Sequence, residues 1–174
     1  MRLTRVVVLS LAAIGASVPL AAAEPPLDLP LRKAGLWQVH TQTDEGSGVQ
    51  KQDLTMCIGE EMERIAVRAS GADNRANCAT YEVSKTTAGT TIDAVCSIED
   101  RKVVTRTELT GNFTSEFSVK VDSTTSGHAP RSQGGQPVNV HRIILQDGKY
   151  LGEACGELQA GEAKGADGRT LKVQ

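Results

Sequence analysis

Between Cys78 and Thr125 the side chains alternate between apolar and polar almost without a break, and this period of two constrains the fold more than any other feature. In a strand, residues two apart share a face. Phe113, Phe117, Val119 and Val121 fall on one face with Ser115, while Thr114, Glu116, Ser118, Lys120 and Asp122 fall on the other. One face is then buried and the other solvated, as antiparallel sheets commonly arrange it. The preceding run from Lys102 to Thr110 is rich in Val and Thr, which suit a pleated surface. Thr110-Gly111-Asn112 reads as a hairpin between the two. Upstream, Ile92, Ala94, Cys96 and Ile98 form another stripe, ended by a turn at Glu99-Asp100.

A hairpin turn over Thr86–Gly89 sets Cys78 nearly opposite Cys96, close enough for a disulfide. The chain has four cysteines, with no C-x-x-C spacing. Four cysteines allow three connectivities, and their spacing fits neither a zinc nor a redox motif. The hairpin favours Cys78–Cys96, and Cys57–Cys155 follows by elimination.

Disulfides require an oxidising compartment, and the N-terminus reads as an address to one. Arg2 and Arg5 precede an apolar run from Val6 to Ala16, and Ala21-Ala22-Ala23 precedes Glu24. This is the pattern of a secretory leader over residues 1–23, cleaved near Ala23. The run is shorter than the ~20 residues of a membrane span. Removing Arg2 and Arg5 from the 19 basic residues leaves 17 against 21 acidic, a net charge near −4. A chain so charged is not built to grip nucleic acid or an anionic membrane. Trp37, Tyr81, Phe113, Phe117 and Tyr150 are too few for a base-stacking platform.

One domain is expected over residues 24–159, with a flexible tail over 160–174. A Pro- and Leu-rich lead-in opens it. The first strand is Leu36–Thr43, with Trp37, Val39 and Thr41 on one face; the second is Val49–Ile58, with Leu54, Met56 and Ile58 inward. A short helix is expected from Gly59 to Ser70, with Met62, Ile65, Ala66 and Ala69 at helical spacing and Gly71–Asn74 ending it. Ser123–Gln136 reads as a long polar loop. Val138–Leu145 and Lys149–Cys155 read as strands joined by a hairpin at Asp147-Gly148.

No catalytic constellation is visible. His40, His128 and His141 are dispersed without ligand spacing, and solvated positions suit them better than a metal site. Gly46-Ser47-Gly48 lies between strands, not at the strand–helix elbow of a hydrolase. Asn112-Phe113-Thr114 is a formal glycosylation sequon, and the pairs Glu99-Asp100 and Asp44-Glu45 fit exposed turns. No cofactor or metal is expected.

Arg32-Lys33-Ala34-Gly35-Leu36-Trp37-Gln38-Val39, then Met56-Cys57-Ile58 leading into a helix, then a cysteine pair flanking a hairpin, then Gly152-Glu153-Ala154-Cys155 form an ordered set. This set resembles DUF3617, a family of small exported Gram-negative bacterial proteins of unknown function. The resemblance spans Leu31 to Cys155. The chain departs in having Gly59-Glu60 where the family often has Thr-Pro, and in having all three Met before its middle. The resemblance implies an envelope location and a β-rich fold, and no activity.

The expected fold is mainly β: a curved antiparallel meander of about seven or eight strands, a half-barrel or lipocalin-like, with one short helix. A curved sheet needs something against its apolar face, and one helix is small for that. A binding module holding a small apolar or lipid-like ligand is therefore the first expectation, lined by Trp37, Val39, Phe113, Phe117 and Val119. The alternative is an envelope protein-interaction module, with a sheet edge or the Ser123–Gln136 loop as the docking surface. A hydrolase ranks last.

Overall fold

The structure, a computed structural model, describes residues 28–129, 132 and 134–173, with residues 68–74 described by helical backbone alone. The leader expected over residues 1–23 lies outside the described residues. The chain forms β1 (Gly35–Asp44), β2 (Val49–Ile58), α1 (Glu60–Ala76), β3 (Cys78–Thr86), β4 (Gly89–Ile98), β5 (Arg101–Gly111), β6 (Glu116–His128), β7 (Pro137–Gly152), β8 (Glu162–Gly165) and β9 (Thr170–Lys172). They make one open antiparallel sheet of nine strands in the order β3-β4-β5-β6-β7-β1-β2-β8-β9. The meander β3 to β7 comes back beside β1, so the first strand is central and β3 and β9 are the edges.

Register explains which side chains share the inner face, since directly paired residues project to the same side. Trp37 pairs with Met56 and Tyr150, and Val39 with Leu54 and Gly148. Phe117 also pairs with Gly148, and Val119 pairs with Leu109 and Gln146. Trp37, Val39, Ile58, Phe113 and Phe117 form the buried core, with Met56, Leu109, Val119 and Tyr150 packed on it. The Trp37 ring lies 5.4 Å from Phe117 and 5.3 Å edge-on to Tyr150, and Phe113 stacks on Phe117 at 5.7 Å. The buried indole N–H donates to the Lys33 carbonyl at 2.8 Å, which satisfies its one polar atom.

The expected hairpin at Asp147-Gly148 does not form. β7 runs straight through both residues. Gly148 is needed for another reason: a Cβ there would lie 2.0 Å from Cε1 of Phe117 and 2.4 Å from Cζ. Its missing side chain lets the Phe117 ring lie across the sheet, as a glycine inside a strand often signals.

Other boundaries move as well. β6 continues to His128, so only the end of the expected Ser123–Gln136 loop is loop, closed by a bond from the Ala129 N–H to the Gln136 carbonyl. Phe113 is not a strand residue. It sits at φ 58° in the β5–β6 turn, where the Asn112 side-chain oxygen accepts from the N–H groups of Thr114 and Ser115. α1 runs six residues past the expected stop, through Gly71, and leads almost directly into β3. The Ser97 N–H donates to the Asn77 carbonyl at 2.7 Å and ties the helix end to β4. Ile65, expected inward, is 55% exposed; Glu63 is buried instead.

The expected flexible tail is paired structure. β8 adds to β2 and β9 to β8. The disulfide Cys57–Cys155 brings the tail there, and the Gly161 N–H donates to the Cys57 carbonyl at 2.9 Å. The second disulfide is Cys78–Cys96.

Gly148→Ala should lower stability by about 1–3 kcal/mol through overpacking against Phe117. Asp147→Ala, one residue away on the exposed face, should stay within about 0.5 kcal/mol. Urea unfolding of the two variants compares them, and equal midpoints would refute the close-approach role of Gly148.

Candidate functional site

The inner face is packed at one end and hollow at the other. The hollow part is a cavity of about 390 Å³. Its floor is small side chains on three strands: Ile92 and Ala94 on β4, Val103, Thr105 and Thr107 on β5, and Val119 on β6. Tyr81 closes the β3 side and Phe113 and Phe117 close the packed end. Burial pushes the Tyr81 hydroxyl pKa up, against the opposing pull of Arg75, whose guanidinium lies 5.7 Å from the Tyr81 ring centroid.

Two segments cover the cavity. The lead-in crosses the sheet as a strap: Asp28 pairs with Lys85 on β3, Leu29 and Pro30 face the cavity, and the Lys33 N–H donates to the Phe113 carbonyl at 2.8 Å. α1 contributes Glu63 and Val67. The covers are locked together by Arg32. Its Nε and Nη2 donate to the two oxygens of Glu63 at 2.9 and 2.6 Å, and its backbone N–H donates to Oε1 at 3.1 Å. The Glu63 side chain is 7% exposed and that of Arg32 22%, so this is a largely desolvated, bidentate pair. The guanidinium also lies 5.6 Å from the Phe117 ring centroid.

Of the residues expected to line a ligand site, Phe113, Phe117 and Val119 do line the cavity. Trp37 and Val39 do not. They are 0% and 1% exposed, in the filled part of the core. Sequence reasoning missed the β3–β4 wall, the strap and the Arg32–Glu63 pair. Glu63 reads as one of three acidic residues favoured by a helix N-terminus, so nothing local marks it as buried.

The histidines sit away from the cavity. His40 donates from Nδ1 to Asp53 at 2.6 Å and accepts from Gln42 at 3.0 Å, and His141 donates to Asp122 at 2.8 Å. Both pairs are exposed. Among the described residues no group of three or more His, Cys, Asp and Glu is arranged to hold a metal ion. No described helix is long and apolar enough to cross a membrane.

The geometry defines a small β protein, tied by two disulfides, with a covered apolar cavity on one face of an open sheet. The chain belongs to DUF3617, a family described as a protein of unknown function, whose model matches residues 32–155. No curated protein and no solved structure matches it.

Glu63→Gln removes one partner of a charge-assisted pair and should cost about 1.5–3 kcal/mol. Glu60→Gln, which touches only the exposed pair with Arg64, should cost less than about 0.5 kcal/mol. Thermal unfolding of both variants tests this; similar losses would mean that the Arg32–Glu63 pair does not hold the covers.

Proposed function

We propose that the protein is a non-enzymatic binding module that takes a small apolar or lipid-like molecule into the cavity beneath the strap and α1. The observation that carries this reading is the cavity itself. At about 390 Å³ it falls within the ~300–1,000 Å³ range of small-molecule sites. Its floor is aliphatic and threonine side chains, which favour an apolar occupant. The competing reading, an envelope interaction module without a ligand, would gain from a filled core and an exposed apolar patch. The hollow inner face supports the first reading.

We also infer that the protein works outside the cytoplasm. Two disulfides suit an oxidising compartment, and the basic, apolar and small-residue order of residues 1–23 suits an export leader.

Native mass spectrometry of protein purified from the periplasm without refolding tests both parts. The mass should be lower by four hydrogens than that of the reduced chain, from the two disulfides, and should carry an extractable apolar adduct. Thr107→Phe, which fills the cavity floor, should abolish the adduct while leaving stability equal or higher. A clean unliganded mass for the unmodified protein, together with no uptake of added apolar probes, would sink the binding reading.

A further inference from the structure

We propose that the ligand is a single-chain amphiphile with an anionic head, its chain lying in the cavity and its head held by Arg101. This rests on the binding function proposed above and specifies what the site takes.

The cavity has direction. Its lining follows β5 from Val103 to Leu109, a run of about 20 Å at the rise of a strand. The Leu109 end is stopped by Phe113 and Phe117, both buried. At the other end Ile98 lines the cavity yet is 47% exposed, so this end meets solvent. A long void with one closed apolar end and one open end suits a chain whose polar head stays at the opening.

Arg101 stands at that opening. It is two residues before Val103 on β5 and pairs directly with Ile98 on β4, so it shares the cavity's face with both. Its Nε is buried, and among the described residues it has no hydrogen-bond acceptor. A buried donor without an acceptor is costly and uncommon in native proteins. Among the described residues its one ion-pair partner is Glu99, whose exposed carboxylate lies 3.6 Å from Nη2. That contact leaves Nε unsatisfied. The Arg101 side chain is one-third exposed, so an anionic oxygen at the opening would bond its accessible edge, and a turn of the guanidinium toward that oxygen would give Nε its acceptor.

Arg101 lies beside the lining at the opening; the guanidinium in the lining itself, that of Arg32, is unsuited to this task. Arg32 already commits Nε and Nη2 to Glu63, and that carboxylate neutralises it. The charge at the strap end is therefore cancelled, which fits an uncharged chain terminus.

Calorimetric titration with laurate, dodecyl phosphate and dodecanol, each below its aggregation concentration, tests the assignment on the oxidised protein. The unmodified protein should bind at least one of the two anions about tenfold more tightly than the alcohol; which one it prefers separates a carboxylate from a phosphate head. Arg101→Gln should bring that anion down to the level of the alcohol and leave the alcohol unchanged. Arg101→Lys should retain part of the preference, and Lys102→Gln, which removes a charge from the opposite face of β5, should retain all of it. Equal binding of alcohol and anions by the unmodified protein would overturn the head assignment without any variant, and so would an equal loss of all three ligands in Arg101→Gln. Either result would leave the binding function standing. Failure of all three to bind would reject both.

Discussion

An open sheet with one apolar face must have that face covered, and here the cover is thin. Nine strands present one inner face to one helix and a short strap. The Arg32–Glu63 pair joins the two. Without it the strap would rest on the sheet by hydrogen bonds at Lys33, to the Phe113 carbonyl and from the Trp37 indole, and by exposed contacts such as Asp28–Lys85. Burying a carboxylate is expensive unless it is paired and hydrogen-bonded, and Glu63 accepts three N–H bonds from Arg32 alone. The helix therefore presents a charged residue inward where an aliphatic one was expected, and Ile65 turns outward.

The cavity follows from where the large side chains lie. Four of the five aromatic residues, Trp37, Phe113, Phe117 and Tyr150, gather at one end of the inner face. There they fill the space above β1, β6 and β7, and Gly148 lets the Phe117 ring fit. Across β4 and β5 the corresponding positions hold Ala94, Val103, Thr105 and Thr107, which are too small to reach the helix and strap. Interiors normally pack to the density of organic crystals, so a void of this size over a continuous apolar floor is a property of the residue choice.

Much of this was legible in the chain. The alternation from Cys78 onward located β3 to β6, and the hairpin over Thr86–Gly89 correctly set Cys78 opposite Cys96. The second disulfide followed. What failed were signals with two physical meanings. Asp147-Gly148 is a favoured turn pair, but a glycine also permits close approach of a ring, and long-range packing against Phe117 chose the second. Gly71–Asn74 resembles a helix stop, yet Gly costs only about 1 kcal/mol inside a helix, and the junction to β3 outweighs that. Trp37, large and apolar, could read as a ligand-lining residue or, more readily, as the largest core side chain, and it lies fully buried in the filled core. Glu63 and Arg101 carried no local signal, because their environments are set by Arg32, 31 residues away from Glu63, and by the pairing of β5 with β4.

The disulfides act on this thin cover more than on the aromatic core. Cys57, at the end of β2 just before α1, is cross-linked to Cys155 in the segment after β7, and Cys78, just after α1, is cross-linked to Cys96 on β4, so a disulfide flanks each end of the helix. The Cys57–Cys155 link closes 98 residues and Cys78–Cys96 closes 18, which by chain entropy stabilise by about 5 and 3 kcal/mol. A helix with so little buried surface would not hold its position by packing alone, since tertiary contacts supply most helix stability. Cross-linking its flanks keeps the cover in place without filling the space beneath it. The strap has no such covalent tether among the described residues: it is held by the Arg32–Glu63 pair, by the Lys33 bonds to Phe113 and Trp37, and by exposed contacts. Of the two covers it is the one that can be displaced at the lower cost in free energy, and its anchor points, Lys85 on β3 and Phe113, lie at the closed, aromatic end of the cavity.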